Sequence, residues 1–217
     1  MTTVQPKERP ILFSGAMVQA ILAGRKTITR RIVKREFMHQ PDGPRNGKWY
    51  IRRADAIWDS FETIDELAAK HCPYGKIGDR LWVRETFGLP FGTAHGAKVI
   101  YKADGGVQPD CMWQWRPSIF MPRWASRITL EITDVRVERL QDISDSDAVN
   151  EGIRASTMPP IPGTWYHAVN GHMCQTARMA FSVLWDSINP NDNLPIGQGK
   201  DWESNPWVWV VSFKVVR

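Results

Sequence analysis

The sequence predicts an α+β fold built around a small closed β-barrel, and three observations carry that expectation. Short runs of alternating or β-branched residues recur between turn signals. The helical patterns are too few to cover a parallel sheet on both faces. The final run, 207–216, is rich in valine and aromatic residues and reads as a buried strand. A chain of 217 residues with 42% hydrophobic content can bury one good core. One domain over 1–217 is therefore expected, with insertions near 36–74, 88–118 and 155–172.

In chain order, Met17, Val18, Ile21 and Leu22 recur at helical spacing, Ser14 suits the N-cap, and Gly24 suits a left-handed stop. A short helix should hand over to a strand at Lys26. Alternation then groups Thr27, Thr29 and Arg31 on one face and Ile28, Arg30 and Ile32 on the other. Lys26 and Thr29 converge only if the backbone bends beside Gly24. Residues 41–47 are a turn-rich break, followed by Trp49 to Ile51 and a helix near 64–69. The turn 75–79 leads into a strand at 80–87 that places Leu81, Val83, Glu85 and Phe87 on one face. A carboxylate on that apolar face needs a partner, and Arg31 is the candidate. Residues 88–118 read as loop apart from a short strand at 98–102.

Residues 126–137 form a long strand, with a bulge expected at Asp134. Ser144 and Asp147 make a capping box for a helix ending at Gly152. Glu151 therefore stands at a helix C-terminus, where the macrodipole disfavours an anion. A proline-rich loop at 158–163 precedes a helix whose stripe of Cys174, Ala177, Phe181, Leu184, Trp185 and Ile188 is core.

No run approaches the roughly 18 apolar residues of a membrane span, and residues 1–10 carry no signal-peptide apolar stretch, so a cytoplasmic protein is expected. Cys72, Cys111 and Cys174 are odd in number and far apart, which argues against a disulfide scaffold. Neither His71-Cys72 nor His172-x-Cys174 has zinc spacing, and no Gly-rich phosphate loop occurs; no metal or cofactor is expected. The net charge is +5, with Arg25, Lys26, Arg30, Arg31, Lys34 and Arg35 close together. Such a run attracts anions or blunts an exposed strand edge. The 11 tryptophans fill a core and line a groove, where at least one could stack on a base.

Several of these segments together resemble the ASCH family. The carriers are Ile21-Leu22-Ala23-Gly24-Arg25-Lys26-Thr27-Ile28-Thr29-x-Arg31, then Gly78-Asp79-x-Leu81-x-Val83, then 142–152 with Glu151, and the closing aromatic strand. They cover less than half the chain; 10–15, 80–87 and 205–210 look like the longer phage and prophage versions. The resemblance implies a PUA-like barrel with peripheral helices and long loop insertions. Small bacterial members hydrolyse the amide of N4-acetylcytidine, and their catalytic lysine, threonine and glutamate match Lys26, Thr29 and Glu151. Arg31 matches a basic residue with a binding or orienting role. Arg25, Glu85 and Trp82 join it as expected substrate-binding residues, although Arg84-Glu85 has no counterpart in the small enzymes.

Amide hydrolysis needs a nucleophile, oxyanion stabilisation and a proton for the leaving amine. Neutral Lys26 could take the Thr29 proton, provided burial and the cations Arg25, Arg30 and Arg31 depress its ordinary pKa of about 10.4. Alternatively, charged Lys26 stabilises the oxyanion while Glu151 activates water. The expected partner is a small nucleoside. The competing readings are an RNA-binding module, which the basic run favours, and a ribonuclease.

Overall fold

The computed structural model describes residues 5–34, 37–40, 47–52, 58–90, 99–105, 113–155, 165–166, 173–190 and 199–216. The chain opens with β1 (Glu8–Leu12), α1 (Gly15–Leu22) and β2 (Ile28–Ile32). Then come β3 (Phe37–Gln40), β4 (Lys48–Arg52), β5 (Trp58–Phe61), α2 (Ile64–His71) and β6 (Arg80–Arg84). The middle holds β7 (Phe87–Pro90), β8 (Ile100–Tyr101), β9 (Trp113–Arg116), β10 (Thr129–Arg139) and α3 (Asp145–Asn150). The chain closes with β11 (Arg154–Ala155), β12 (Trp165–Tyr166), β13 (Met173–Cys174), α4 (Ala177–Ile188) and β14 (Trp207–Val215). This is an α+β architecture, mostly sheet.

The main sheet has the order β1-β6-β10-β14-β2. Its two long central strands pair antiparallel, and the register shifts between Ile132 and Asp134, where the sequence predicted a bulge. β14 buries Val208, Trp209, Val210 and Val211 in succession, which explains its unbroken apolar run: it is covered on both faces. On one face Val211, Leu81, Val83 and Leu130 pack with Val18 and Ile21 of α1. On the other, Val208, Val210 and Ile28 pack with Ala177, Phe181 and Trp185 of α4 and Ala148 of α3. Each such fully buried valine, leucine or isoleucine contributes roughly 1.5–3 kcal/mol. A third cluster sets Leu67 and Ala68 of α2 and Ile51 of β4 against Val137 and Trp209.

The structure corrects the expected barrel. Among the described residues no ladder joins β1 to β2, so the main sheet is open at that seam. β1, not anticipated from sequence, pairs parallel with β6 and holds Pro10 opposite Trp82; proline is tolerated because β1 is an edge. The expected strand 80–87 breaks at Glu85 into β6 and β7, and β7 forms a separate sheet, β8-β7-β9, in which β8 is the short strand expected at 98–102 and β9 lies in residues read as loop. The first expected insertion contains the sheet β3-β4-β5, and the third carries β12, which pairs with β11 and β13 at its two borders. Cys174 lies in β13, ahead of α4, yet is buried in the same cluster as the helix stripe. The break at 41–46 and the proline-rich loop at 158–163 lie outside the described residues, as do Cys111 and His172. Among the described residues no helix is long and apolar enough to cross a membrane.

Candidate active site at the open seam

The seam between the two edge strands is a cleft of about 520 Å³. One wall is the end of β1 and the start of α1, with Leu12, Phe13, Ser14 and Met17; the other is β2 with Thr29, Arg30, Arg31 and Ile32. Glu151 lines it, and Leu184, Trp185 and Ile188 of α4 extend it.

Local rules place the first residues. Ser14 accepts a hydrogen bond from the Met17 amide, capping α1. Gly24 turns out of that helix at φ +70°, and the amides of Arg25 and Lys26 both donate to the Ala20 carbonyl. This is the bend the sequence required. It drives the Lys26 side chain inward until the residue is only 1% exposed.

Ser144 caps α3 by accepting from the Asp147 amide at 3.1 Å, and Glu151 occupies the C-cap. Gly152 follows at φ +106°, where an added Cβ would lie 3.1 Å from the Ala20 Cβ. Only glycine lets the two helix ends come this close. The expected capping box is half realised: the Asp147 carboxylate accepts from Arg30 and Arg136 instead of its own helix.

Lys26 Nζ donates to the Ile28 carbonyl at 2.9 Å, to the Glu151 carbonyl at 3.0 Å and to Glu151 Oε2. All three ammonium hydrogens are thereby used. Burial pushes Lys26 below the ordinary lysine range; Glu151 pulls it back, while Arg31 and Arg30 press it down further. Arg25, expected among those cations, is not one of them.

Sequence reasoning counted Arg30 only among the cations near Lys26, yet it is central. Its fully buried side chain donates to Glu138 at 3.0 Å, to Asp147 at 2.7 Å and to Glu151 Oε1 at 3.5 Å. Glu151 is thus gripped at both oxygens by different cations, which offsets its unfavourable place at a helix C-terminus. Three carboxylates around one arginine could have been suspected only from the way β14 sets β2 and β10 on either side of it with α3 nearby, which the sequence does not spell out.

Thr29, buried, lines the cleft beside Glu151, and its hydroxyl makes no hydrogen bond among the described residues. Arg31 donates to the Leu12 carbonyl at 2.6 Å and lies over the Phe13 ring at 5.2 Å, so its side chain bridges the seam. Its Nε is buried and has no hydrogen-bond partner among the described residues.

Three expected binding residues lie elsewhere. Glu85 is buried but pairs with Arg127, not Arg31, through two bonds of 2.9 and 3.0 Å, and Arg127 also clasps Asp104. The break at Glu85 turns the side chain towards the β8 region, away from β2. Burial raises the Glu85 pKa and Arg127 opposes it. Trp82 stacks under Arg84 and Arg123 on the outer face of β6 and does not line the cleft. Arg25 reaches the Gly152 carbonyl at 3.4 Å and borders a separate shallow depression with Arg154.

From the sequence, Trp113, Trp115, Trp165 and Tyr166 of the loops at 88–118 and 155–172 are the expected walls of an acyl or base pocket. Trp115 does not border the cleft, and the side chains of Trp113, Trp165 and Tyr166 lie outside the described residues. Phe13, Tyr74, Phe181 and Trp185 line it instead. Phe13 carried a usable signal: an apolar residue just before a cap often packs back on its helix, and Phe13 shares a cluster with Val18. Among the described residues no three histidine, cysteine or acidic side chains converge as metal ligands, and His71 sits 3.1 Å from Asp59. Compared with known proteins, the chain matches no family model, no curated protein and no solved structure.

Proposed function

We propose that this chain is an ASCH-type amidohydrolase on a PUA-like barrel left open at one seam, and that it deacylates N4-acylated cytosine nucleosides in the cytoplasm of a bacterium or phage-infected host. The observation that carries the reading is the buried Lys26–Glu151 pair, whose glutamate lines the cleft beside Thr29 while Lys26 stands behind it. A surface lysine would not be driven into the fold against its desolvation, and a structural ion pair would not need to border a cavity.

The hydrogen bonding favours charged Lys26 over a free amine base, because all three Nζ hydrogens have acceptors. In this reading Glu151 is the base. Its carboxylate takes a proton from a water held by Thr29 Oγ as the water oxygen attacks the acyl carbon. The carbonyl electron pair moves onto oxygen, and the cations Lys26 and Arg31 stabilise the charge that develops there. Collapse breaks the C–N bond, and the proton on Glu151 passes to N4. The products are a carboxylic acid and the cytosine amine. No cofactor takes part in these steps.

The alternative is an RNA-binding module, less plausibly a ribonuclease, favoured by Arg25 and Arg154, which share a depression without an acidic partner among the described residues. Incubating the protein with N4-acetylcytidine and following loss of the acyl chromophore tests the first reading. No turnover, combined with salt-sensitive binding of an oligonucleotide, would establish the second.

A further inference from the structure

Among the described residues β2 ends the main sheet, so half of its backbone groups have no neighbouring strand there. The register says which half. Thr27 accepts from the Phe213 amide at 2.8 Å and the Val33 amide donates to Trp207 at 2.9 Å. In an antiparallel ladder residues 27, 29, 31 and 33 therefore face β14, and Ile28, Arg30 and Ile32 direct their amides and carbonyls outward. The Ile28 carbonyl agrees with this: it is the one that Lys26 Nζ reaches from outside the sheet.

The amide and carbonyl of Arg30 have no hydrogen-bond partner among the described residues. Arg30 lines the cleft, its side chain exposes 0% of its surface, and the residue as a whole exposes 4%. All the surface Arg30 shows is thus main chain. A backbone donor and acceptor this nearly buried are costly to leave unmade. Phe13 and Met17 flank them from one face of the sheet, and Phe181 and Trp185 from the other.

We propose that the Arg30 main chain reads the ligand: its N–H donates to an acceptor, and its C=O accepts from a neighbouring N–H, of one planar heterocycle lying in the plane of the strand. Cytosine presents that pair at N3 and N4–H, a choice that rests on the deacylase reading. An added peptide strand does not fit, because Lys26 Nζ already occupies the outward Ile28 carbonyl that such a strand would need.

The full chain, labelled with ¹⁵N, is titrated with cytidine and with 3-deazacytidine, which carries C–H in place of N3. Cytidine should move the Arg30 amide resonance and slow its hydrogen exchange, leaving the Thr29 amide, already bonded to β14, unchanged. The 3-deaza compound should bind at least tenfold more weakly. Equal affinity, an Arg30 amide unmoved in a formed complex, or no binding of either compound overturns the inference. Hydrolysis of N4-acetylcytidine, assayed in parallel, reads the deacylase assignment by itself. An Arg30 response without turnover keeps the inference and removes the deacylase, and turnover with a silent Arg30 amide does the reverse.

Discussion

Lys26 and Glu151 stand 125 positions apart, yet one ammonium holds both the backbone carbonyl and the carboxylate of the same glutamate. The end of α1 and the end of α3 are locked together by that double grip, with Gly152 permitting the close approach. Removing the lysine leaves a buried carboxylate with Arg30, at 3.5 Å, as its remaining ion-pair partner among the described residues. Lys26→Met should therefore lower stability by about 3–5 kcal/mol and reduce turnover at least 100-fold. In the Lys26→Met/Glu151→Gln double variant, urea denaturation should show stability largely restored while activity stays absent. A double variant as unstable as the sum of the singles would mean that the two groups are not coupled.

Thr29 isolates chemistry from folding. Its hydroxyl bonds nothing among the described residues, so Thr29→Val should leave the melting temperature within a few degrees and cut kcat at least tenfold, with Thr29→Ser retaining most activity. Wild-type kcat in Thr29→Val would remove the threonine from the mechanism.

Glu85 and Arg127 should respond unequally. Arg127 is a quarter exposed and keeps Asp104, whereas Glu85 is buried with Arg127 as its ion-pair partner. Glu85→Ala should cost about 1.5–3 kcal/mol, the range for a hydrogen bond to a charged group. Arg127→Ala, which strands the buried carboxylate, should cost about 3–5 kcal/mol. Equal losses in chemical denaturation would show that Glu85 is less dependent on Arg127 than the geometry indicates.

Asp79 supplies a pH signature. Burial alone would raise it, but the Lys7 amide, the Arg9 guanidinium and the Lys76 amide outweigh that and hold its carboxyl below 3.8. A lowered folded pKa means stability that is present above the unfolded value and lost as pH falls through the folded one. Asp79→Asn should be less stable than wild type at pH 7, and the difference should shrink below about pH 3.8. Urea midpoints from pH 7 to pH 2.5 measure it; a gap independent of pH would contradict the linkage.

The cleft walls predict acyl tolerance. A volume of about 520 Å³ bordered by Phe13, Tyr74, Phe181 and Trp185 has room for a flat ring. N4-benzoylcytidine should be hydrolysed with a kcat/KM at least equal to that of the acetyl compound, and Trp185→Ala should reduce the benzoyl value more than the acetyl one. Strict preference for acetyl would show that the ring does not reach these walls.

By itself the sequence determined what depends on neighbours within a few residues. The Ser14 cap, the Gly24 stop, the bend at Lys26, the bulge before Asp134 and the place of Glu151 at a helix end all follow from periodicity, capping and dihedral preference, which act over one or two turns. The tertiary structure alone decided the rest: that β2 is an edge, that the expected barrel stays open beside it, that Glu85 meets Arg127 instead of Arg31, and that Arg30 is ringed by Glu138, Asp147 and Glu151. Trp82 and Arg25 illustrate the same limit. Both sit in segments whose local structure was legible, but which side of the molecule they serve is set by strand order. Strand order depends on the summed burial of segments more than a hundred residues apart, and no local pattern of residues encodes that sum.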